Sequence, residues 1–187
     1  EEQGLISRLT APFRAEEVKW RATMSGLNQK GEPWCMVAPY LDARTIQDRL
    51  DSILGAENWT AKYRQGPGSG ILCTLSIRVN GEWIDKCDAA SLTEIEPVKG
   101  GISNAFRRAS VAWGIGRYLY NIGNAYGFIT ERGQYKGSAK DKVNNSWVNF
   151  RWNPPKLGSE SSAEPKTASK LAATAAVQPG TQAKTVI

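Results

Sequence analysis

The sequence predicts an α+β domain in which antiparallel strands pack on one long helix. Three observations lead to this prediction. Apolar and polar residues alternate over 18–24, an Asn80-Gly81 pair separates two further alternating segments, and residues 97–120 carry apolar side chains at helical spacing. Strands followed by a single long helix are typical of this class. The 187 residues are enough for one domain with a real core.

The first predicted strand, over residues 18–24, has one apolar and one polar face. Its apolar face carries Val18, Trp20, Ala22 and Met24. Its polar face carries Lys19, Arg21 and Thr23. A loop that contains Lys30 leads to a second strand over residues 34–40, so we expect a hairpin with a long basic loop.

A helix and a three-strand segment are predicted next. Asp42 can cap a helix over residues 42–54, and Gly55 suits the position after its last turn. Strands over residues 59–64 and 70–79 follow, and Asn80-Gly81 predicts a two-residue turn into a returning strand. Such a turn places Ile84 opposite Ile77 and Trp83 opposite Arg78.

The central helix is expected to begin at Pro97 or Gly101 and to end at Tyr120. Its apolar stripe carries Ile102, Phe106, Ala109 and Trp113. Arg107 and Arg108 lie on or beside its narrow polar face, and Arg117 follows. No acidic residue occurs between Glu96 and Glu131, so these cations favour a negatively charged partner such as nucleic-acid phosphate. The alternative is an ion pair with Glu94, Glu96 or a carboxylate elsewhere.

Further cations fit the same hypothesis less specifically. Lys19 and Arg21 share a strand face, and Lys30 lies in the adjoining loop; an ordinary solvated edge is the alternative. Residues 132–151 contain five basic residues and one acidic residue, and we expect an exposed basic loop that is either solvated or a second nucleic-acid surface. The net charge of +6 agrees with phosphate binding without requiring it.

Several classes of enzyme are disfavoured. The chain has no histidine, which removes Ser-His-Asp and Cys-His nucleophile systems and every zinc site that uses histidine. No phosphate-binding loop of the ATPase type is present, and we expect neither a cofactor, a metal nor catalytic activity. The acidic residues Asp85, Asp88, Glu94 and Glu96 lack a metal-binding pattern, although a metal-dependent nuclease remains a rival hypothesis.

The cysteines and the apolar segments bear on the compartment. Cys35, Cys73 and Cys87 have no metal-binding spacing, and we expect core thiols in a reducing compartment. No apolar run approaches the length of a membrane span. We therefore expect a cytoplasmic protein.

Composition changes near Asn153. Residues 153–187 are rich in Pro, Ala, Ser, Thr, Lys and Gln and have no aromatic residue, so we expect a disordered tail. The predicted organisation is a folded domain over residues 1–152 and a tail over residues 153–187. The tail either keeps the protein in solution or docks a partner.

The order of these segments resembles a known family. The segments are DARTIQDRLDSILGAENWTAKY, GILCTLSIRVNGEWIDKCDAAS and IEPVKGGISNAFRRASVAWGIGRYLY, and they follow a strand hairpin. Together they resemble the Rad fifty-two family of recombination mediators and single-strand annealing proteins, in its bacterial and phage branch, which includes DdrA. The resemblance covers residues 9–152. It implies that residues 1–152 form a single-stranded DNA-binding and oligomerisation domain, and that the protein is nucleoid-associated in a bacterial or phage-infected cell.

The resemblance implies a β-β-β-α type core, with an antiparallel sheet packed on a long helix, that assembles into a ring-forming oligomer. It also implies a basic groove around the ring that holds single-stranded DNA by its backbone. The family's paired basic residues fall on Arg107 and Arg108, and its groove arginine in the first strand falls on Arg21. Eukaryotic members carry another cation one turn beyond the pair, where this chain has Val111. The groove is therefore either less basic than in those members, or its further cation is supplied by Arg117 or Lys30.

The leading hypothesis is ATP-independent single-stranded DNA binding and annealing of complementary strands in repair and recombination. Its DNA-binding residues would be Lys19, Arg21, Lys30, Arg107, Arg108 and Arg117. An alternative is protection of 3′ single-stranded ends from nucleases without annealing, and a structural oligomer with no DNA partner is a further one. Expected partners are single-stranded DNA, further copies of the chain in a ring, and a single-strand-binding protein or recombinase. We do not expect the protein to bind a membrane.

Overall fold

The computed structural model describes residues 4–92 and 97–157. Four α-helices lie within these residues: α1 (Leu5–Thr10), α2 (Ala43–Leu54), α3 (Pro97–Ala112) and α4 (Leu119–Ile122). Nine strands lie there as well: β1 (Lys19–Leu27), β2 (Pro33–Tyr40), β3 (Trp59–Gln65), β4 (Ile71–Val79), β5 (Glu82–Ala90), β6 (Ala125–Tyr126), β7 (Phe128–Ile129), β8 (Tyr135–Asp141) and β9 (Ser146–Asn153). None of the helices in this part of the chain is long and apolar enough to cross a membrane.

The strands form three small antiparallel sheets with the orders β1-β2-β6, β3-β4-β5 and β7-β9-β8. The prediction of a mixed fold with antiparallel sheets is therefore confirmed, but one sheet is replaced by three. The register predicted from Asn80-Gly81 is also confirmed, since Ile84 lies opposite Ile77 and Trp83 opposite Arg78. Asn80 and Gly81 both have positive φ, at 52° and 88°, as this kind of turn requires.

The larger core lies between the β3-β4-β5 sheet and the helices α1, α2 and α3. Phe106, Ala109 and Trp113 from the predicted stripe are buried against Leu75 and its neighbours on β4. The indole Nε1 of Trp113 donates a hydrogen bond to the carbonyl oxygen of Leu75 at 3.0 Å, so this buried polar atom has a partner. These contacts hold α3 at a fixed place against the sheet.

The expected helix to Tyr120 is wrong, because α3 ends at Ala112. Gly114 and Gly116 have φ of 91° and 67°, which a helix cannot accommodate. A Cβ atom at Gly114 would lie 2.7 Å from Cγ2 of Thr10, so the glycine also allows α1 to approach. The chain turns here and resumes as the short helix α4.

The smaller core lies between the β1-β2-β6 sheet and the β7-β9-β8 sheet. Trp20, Cys35 and Val37 from the first sheet pack with Phe150 and Trp152 from the second. The hydroxyl of Ser25 donates to the carbonyl oxygen of Ser138 at 2.7 Å, which places β8 alongside β1. The two sheets therefore share one interior.

The expectation of an exposed basic loop over residues 132–151 is wrong, because this segment forms the β8–β9 hairpin. Small and aromatic residues alternate along this hairpin with polar and basic residues. The small and aromatic residues pack into the smaller core. Gly137 is needed there, since a Cβ atom would lie 2.5 Å from the ring of Phe150. The basic residues occupy the opposite face of the hairpin.

Smaller corrections follow from the strands and the cysteines. A bulge between Ala22 and Met24 breaks the alternation of β1, and Met24 is 58% exposed rather than buried. Cys35 and Cys73 are buried thiols as predicted, whereas Cys87 is exposed. Within the predicted tail, residues 158–187 lie outside the described residues, and Leu157 packs against both cores.

Candidate nucleic-acid interface

A cleft of about 780 Å³ opens between the β1–β2 hairpin, the end of β5 and one side of α3. Three arginines line it: Arg21, Arg107 and Arg108. The larger core and the sheet register fix α3 and β1 on either side of this cleft, which we call the groove. The groove therefore brings together three of the six predicted DNA-binding residues.

Arg107 is half-buried on the groove side of α3 and is held by uncharged groups. Its guanidinium lies 5.2 Å from the centre of the Tyr40 ring and donates to the Leu41 carbonyl oxygen at 3.4 Å and to the side-chain oxygen of Asn104. Burial lowers the pKa of Arg107, and the positive charge of Arg21 lowers it further. The charge of Asp42 acts in the opposite direction, but no carboxylate among the described residues forms an ion pair with Arg107.

Arg21 supplies the second cation from the other wall. It lies on the exposed face of β1, opposite Ala38 in the register, as the alternation predicted. In the part of the chain that the structure describes, its side chain has neither an ion pair nor a hydrogen bond. Arg21 and Arg107 line the same groove, and the positive charge of Arg21 acts to lower the pKa of Arg107. An anion in the groove would attract both.

Arg108, unlike Arg107, forms an ion pair. Its Nη2 lies 3.1 Å from Oδ1 of Asp88 on β5, with the two side chains 52% and 36% exposed. An ion-pair partner for the arginine pair was anticipated as the alternative to phosphate, and Asp88 fills that role for one of the two. Adjacent helical residues point about 100° apart, which explains why the two arginines differ.

The other three predicted residues do not line the groove. Lys19 forms an ion pair with Asp42, and the hydrogen bond to Asp42 raises the pKa of Lys19. Lys30 lies in the turn at the far end of β1, about 20 Å from Arg21 by the rise of a strand. Arg117 donates to the carbonyl oxygens of Val111 at 2.7 and 3.0 Å and of Ala112 at 2.9 Å, so it caps the last turn of α3.

The groove also contains polar and aromatic residues that sequence reasoning missed. Tyr40 lies directly opposite Lys19 in the register, and Tyr120 is 66% exposed at the groove. Asn104 lies one helical turn before Arg107, which is a spacing that could have suggested its role. Val111, at the position of the missing family cation, lines the groove as an apolar residue.

The acidic residues do not converge on one point. Asp85 lies opposite Ser76 and Asp88 opposite Cys73, so they occupy opposite faces of the sheet. Glu94 and Glu96 lie outside the described residues. Within the described residues, no three groups of metal-ligand type lie close enough together to hold an ion.

The fold and the groove define a small α+β domain with a cationic cleft between a strand hairpin and a helix. The chain belongs to the Rad52/22 family of double-strand break repair proteins, whose sequence profile matches residues 1–126. The family resemblance drawn from the sequence is thereby confirmed.

Two relatives are similar to this chain over 117 residues. The single-stranded DNA-binding protein DdrA of Deinococcus deserti is 32% identical over 62% of this chain and 56% of its own length. The single-stranded DNA-binding protein DdrA of Deinococcus radiodurans is 29% identical over 62% of this chain and 54% of its own length. The similar segment thus spans about half the length of these curated relatives. No solved structure matches this chain.

Proposed function

We propose that this chain binds single-stranded DNA along the groove and anneals complementary strands without ATP, in DNA repair and recombination. The observation that carries the proposal is that two arginines, Arg21 and Arg107, line the groove together. Both cations lack a carboxylate partner among the described residues, and burial and mutual repulsion both act on Arg107. Family membership and the names of the two DdrA relatives support the same choice of ligand.

Phosphate is the ligand that suits this arrangement. A phosphate between Arg21 and Arg107 replaces a repulsion by two attractions, and the planar guanidinium groups match its oxygens. Tyr40 and Asn104 hold Arg107 in place, so little side-chain freedom is lost when a phosphate binds. Contacts of this kind read no base, which leaves base edges free to meet a complementary strand.

Annealing needs many such sites in a row. If all three groove arginines contact phosphates, one chain contributes a slope of only about −2 in a plot of log affinity against log salt concentration. We propose that a ring of chains lines up the grooves and gains affinity by avidity. Leu92 and Val98, which are 44% and 63% exposed near the start of α3, offer apolar surface for contacts between subunits.

Protection of 3′ single-stranded ends without annealing is a second candidate function. The names of both relatives state single-stranded DNA binding rather than annealing, and protection would use the same groove. A single-strand-binding protein or a recombinase would be a partner in either case. The two functions differ in whether bound bases pair with a second strand.

The test compares the wild type with the variant Arg21→Ala, Arg107→Ala in two assays. One measures binding to a labelled single strand over a salt series, and the other measures the rate at which two complementary labelled oligonucleotides pair. The matched control removes two exposed cations elsewhere, with Arg8→Ala and Lys62→Ala. We expect the groove variant alone to lose affinity and to flatten the salt slope by about 1.4.

Each outcome decides between the candidates. Annealing by the wild type that disappears with the groove variant supports the leading function. Binding with no acceleration of pairing, together with slower digestion of bound ends by an added nuclease, supports end protection. Equal binding by the groove variant and the wild type would refute the groove as the DNA site.

A further inference from the structure

The β8–β9 hairpin presents a second cationic surface that the groove does not use. Strand register places three cross-strand pairs on its outward face: Lys136 with Arg151, Ser138 with Asn149, and Lys140 with Trp147. All six residues are exposed, whereas the opposite face is buried in the smaller core. We call these six residues the hairpin face.

The three cations of the hairpin face have no acidic partner in the described residues. The nearest acidic residue in sequence, Asp141, lies on the opposite face of the hairpin by register. Its carboxylate accepts hydrogen bonds from the backbone amides of Val143 and Asn144 and from the Asn144 side chain. Asp141 is thus committed to the turn, and the hairpin face keeps its full positive charge.

Arg151 is held in place by a backbone carbonyl oxygen rather than by a carboxylate. Its Nη1 donates to the carbonyl oxygen of Gly133 at 2.8 Å, and its other guanidinium nitrogens have no partner among the described residues. A guanidinium fixed in this way has less freedom to lose when it meets a phosphate.

Trp147 is the unusual member of the hairpin face. It is 64% exposed, and its cross-strand partner is Lys140 rather than another apolar residue. An exposed indole amid cations and hydrogen-bonding side chains suits the stacking of a nucleic-acid base, with phosphates on the neighbouring cations. An acidic protein would match the charges, but the face offers it no apolar surface beyond this one ring.

We propose that the hairpin face is a second contact surface for single-stranded nucleic acid, with Trp147 stacking on a base and Lys136, Lys140 and Arg151 meeting phosphates. The surface lies beyond residues 1–126, which the family profile matches. It does not depend on the groove, although the bond from Ser25 to Ser138 places β8 beside the strand that carries Arg21.

The experiment uses the full chain and a labelled oligothymidylate over a salt series. The first pair of variants is Trp147→Ala and Trp147→Phe, of which only the second keeps a stacking ring. We expect Trp147→Ala to bind at least about fivefold more weakly and Trp147→Phe to stay close to wild type. Lys136→Ala with Lys140→Ala should flatten the salt slope by about 1.4.

A second set repeats these changes in the Arg21→Ala, Arg107→Ala background. If the groove variant keeps residual binding and the hairpin substitutions abolish it, two separate surfaces are established. If the hairpin variants lose affinity while the groove variant binds normally, the hairpin proposal stands and the groove proposal fails. Circular dichroism and mass photometry on every variant show that fold and assembly are intact.

Two results would overturn the proposal. One is wild-type affinity and slope for all hairpin variants in both backgrounds. The other is an equal loss for Trp147→Ala and Trp147→Phe with a changed oligomer mass, which would mark the hairpin face as a contact between subunits instead.

Discussion

Replacing Asp88 with asparagine should strengthen the binding of single-stranded DNA. The Asp88 carboxylate forms an ion pair with Arg108 in the groove, with Oδ1 of Asp88 3.1 Å from Nη2 of Arg108. A DNA phosphate must compete with this carboxylate for the arginine. Asparagine keeps the side-chain shape and an oxygen that can accept the hydrogen bond from the Ala89 amide, which is 2.7 Å long. The substitution therefore removes a charge with little change in structure.

The size of the effect follows from the exposure of the pair. Both side chains are at least a third exposed, and such ion pairs contribute about 0–1 kcal/mol after solvent screening. In the Asp88→Asn variant, a phosphate that binds Arg108 no longer has to break this ion pair. The affinity per site should therefore rise by up to about fivefold. If Arg108 then gains a phosphate, the salt slope should steepen by about 0.7.

The assay is equilibrium binding of a labelled single strand by anisotropy over a salt series. Asp85→Asn is a matched control, because it removes the same charge from the opposite face of the same strand. Tighter binding by Asp88→Asn alone supports a direct role for Arg108. Unchanged binding would refute the competition, and an equal gain from Asp85→Asn would indicate a general effect of net charge.

Three further predictions concern the scaffold. Arg117→Ala should lower the free energy of unfolding by about 1–2 kcal/mol, measured by chemical denaturation, because three hydrogen bonds to the end of α3 are lost. Gly114→Ala should lower the melting temperature by several degrees because of its positive φ and the contact with Thr10, whereas Gly4→Ala, which meets no atom within 4 Å, should not. Burial raises the pKa of Asp42, but hydrogen bonds from Lys19 and Thr45 outweigh it and lower the pKa to about 2 from an ordinary value of 3.8. The stabilising effect of this depressed pKa is present above the ordinary value and is lost as the pH falls from about 4 through about 2, and Asp42→Asn should remove that part of the acid sensitivity.

Controls for these three predictions are available in the same measurements. Arg117→Lys keeps a donor at the end of α3 and should recover part of the stability. A Gly114→Ala protein as stable as wild type would contradict the steric argument. Equal loss of stability on acidification for wild type and Asp42→Asn would show that other carboxylates control the acid transition.

The parts of the fold that depend on local chemistry could be predicted. The Asn80-Gly81 turn fixed the register of β4 and β5, and Asp42 caps α2 by accepting from the Thr45 amide at 2.8 Å. The exposed position of Arg21 followed from strand alternation. Each of these features depends on a few neighbouring residues, which is why a sequence pattern is sufficient.

The parts of the fold that depend on contacts between distant residues could not be predicted from the sequence. Helical spacing continues past Ala112, and only the approach of α1 at Gly114 shows why the helix ends there. Many of the polar residues that alternate with apolar ones over residues 135–152 are cations, and a segment rich in cations is typical of an exposed loop. The sequence therefore predicted a loop where the structure has the β8–β9 hairpin. Among the described residues, Arg107 has no ion-pair partner whereas Arg108 pairs with Asp88 on β5. This difference follows from the position of β5, which no spacing within α3 encodes.

The shared interior of the two small sheets sets a lower limit on the piece of chain that can be produced and studied alone. Trp20, Cys35 and Val37 lie within the 1–126 segment matched by the family, but Phe150 and Trp152 cover them from outside it. A fragment cut at residue 126 would leave that aromatic and aliphatic surface bare on the back of the hairpin that carries Arg21. Such a fragment is expected to aggregate, and any loss of DNA binding in it would report misfolding rather than the chemistry of the groove.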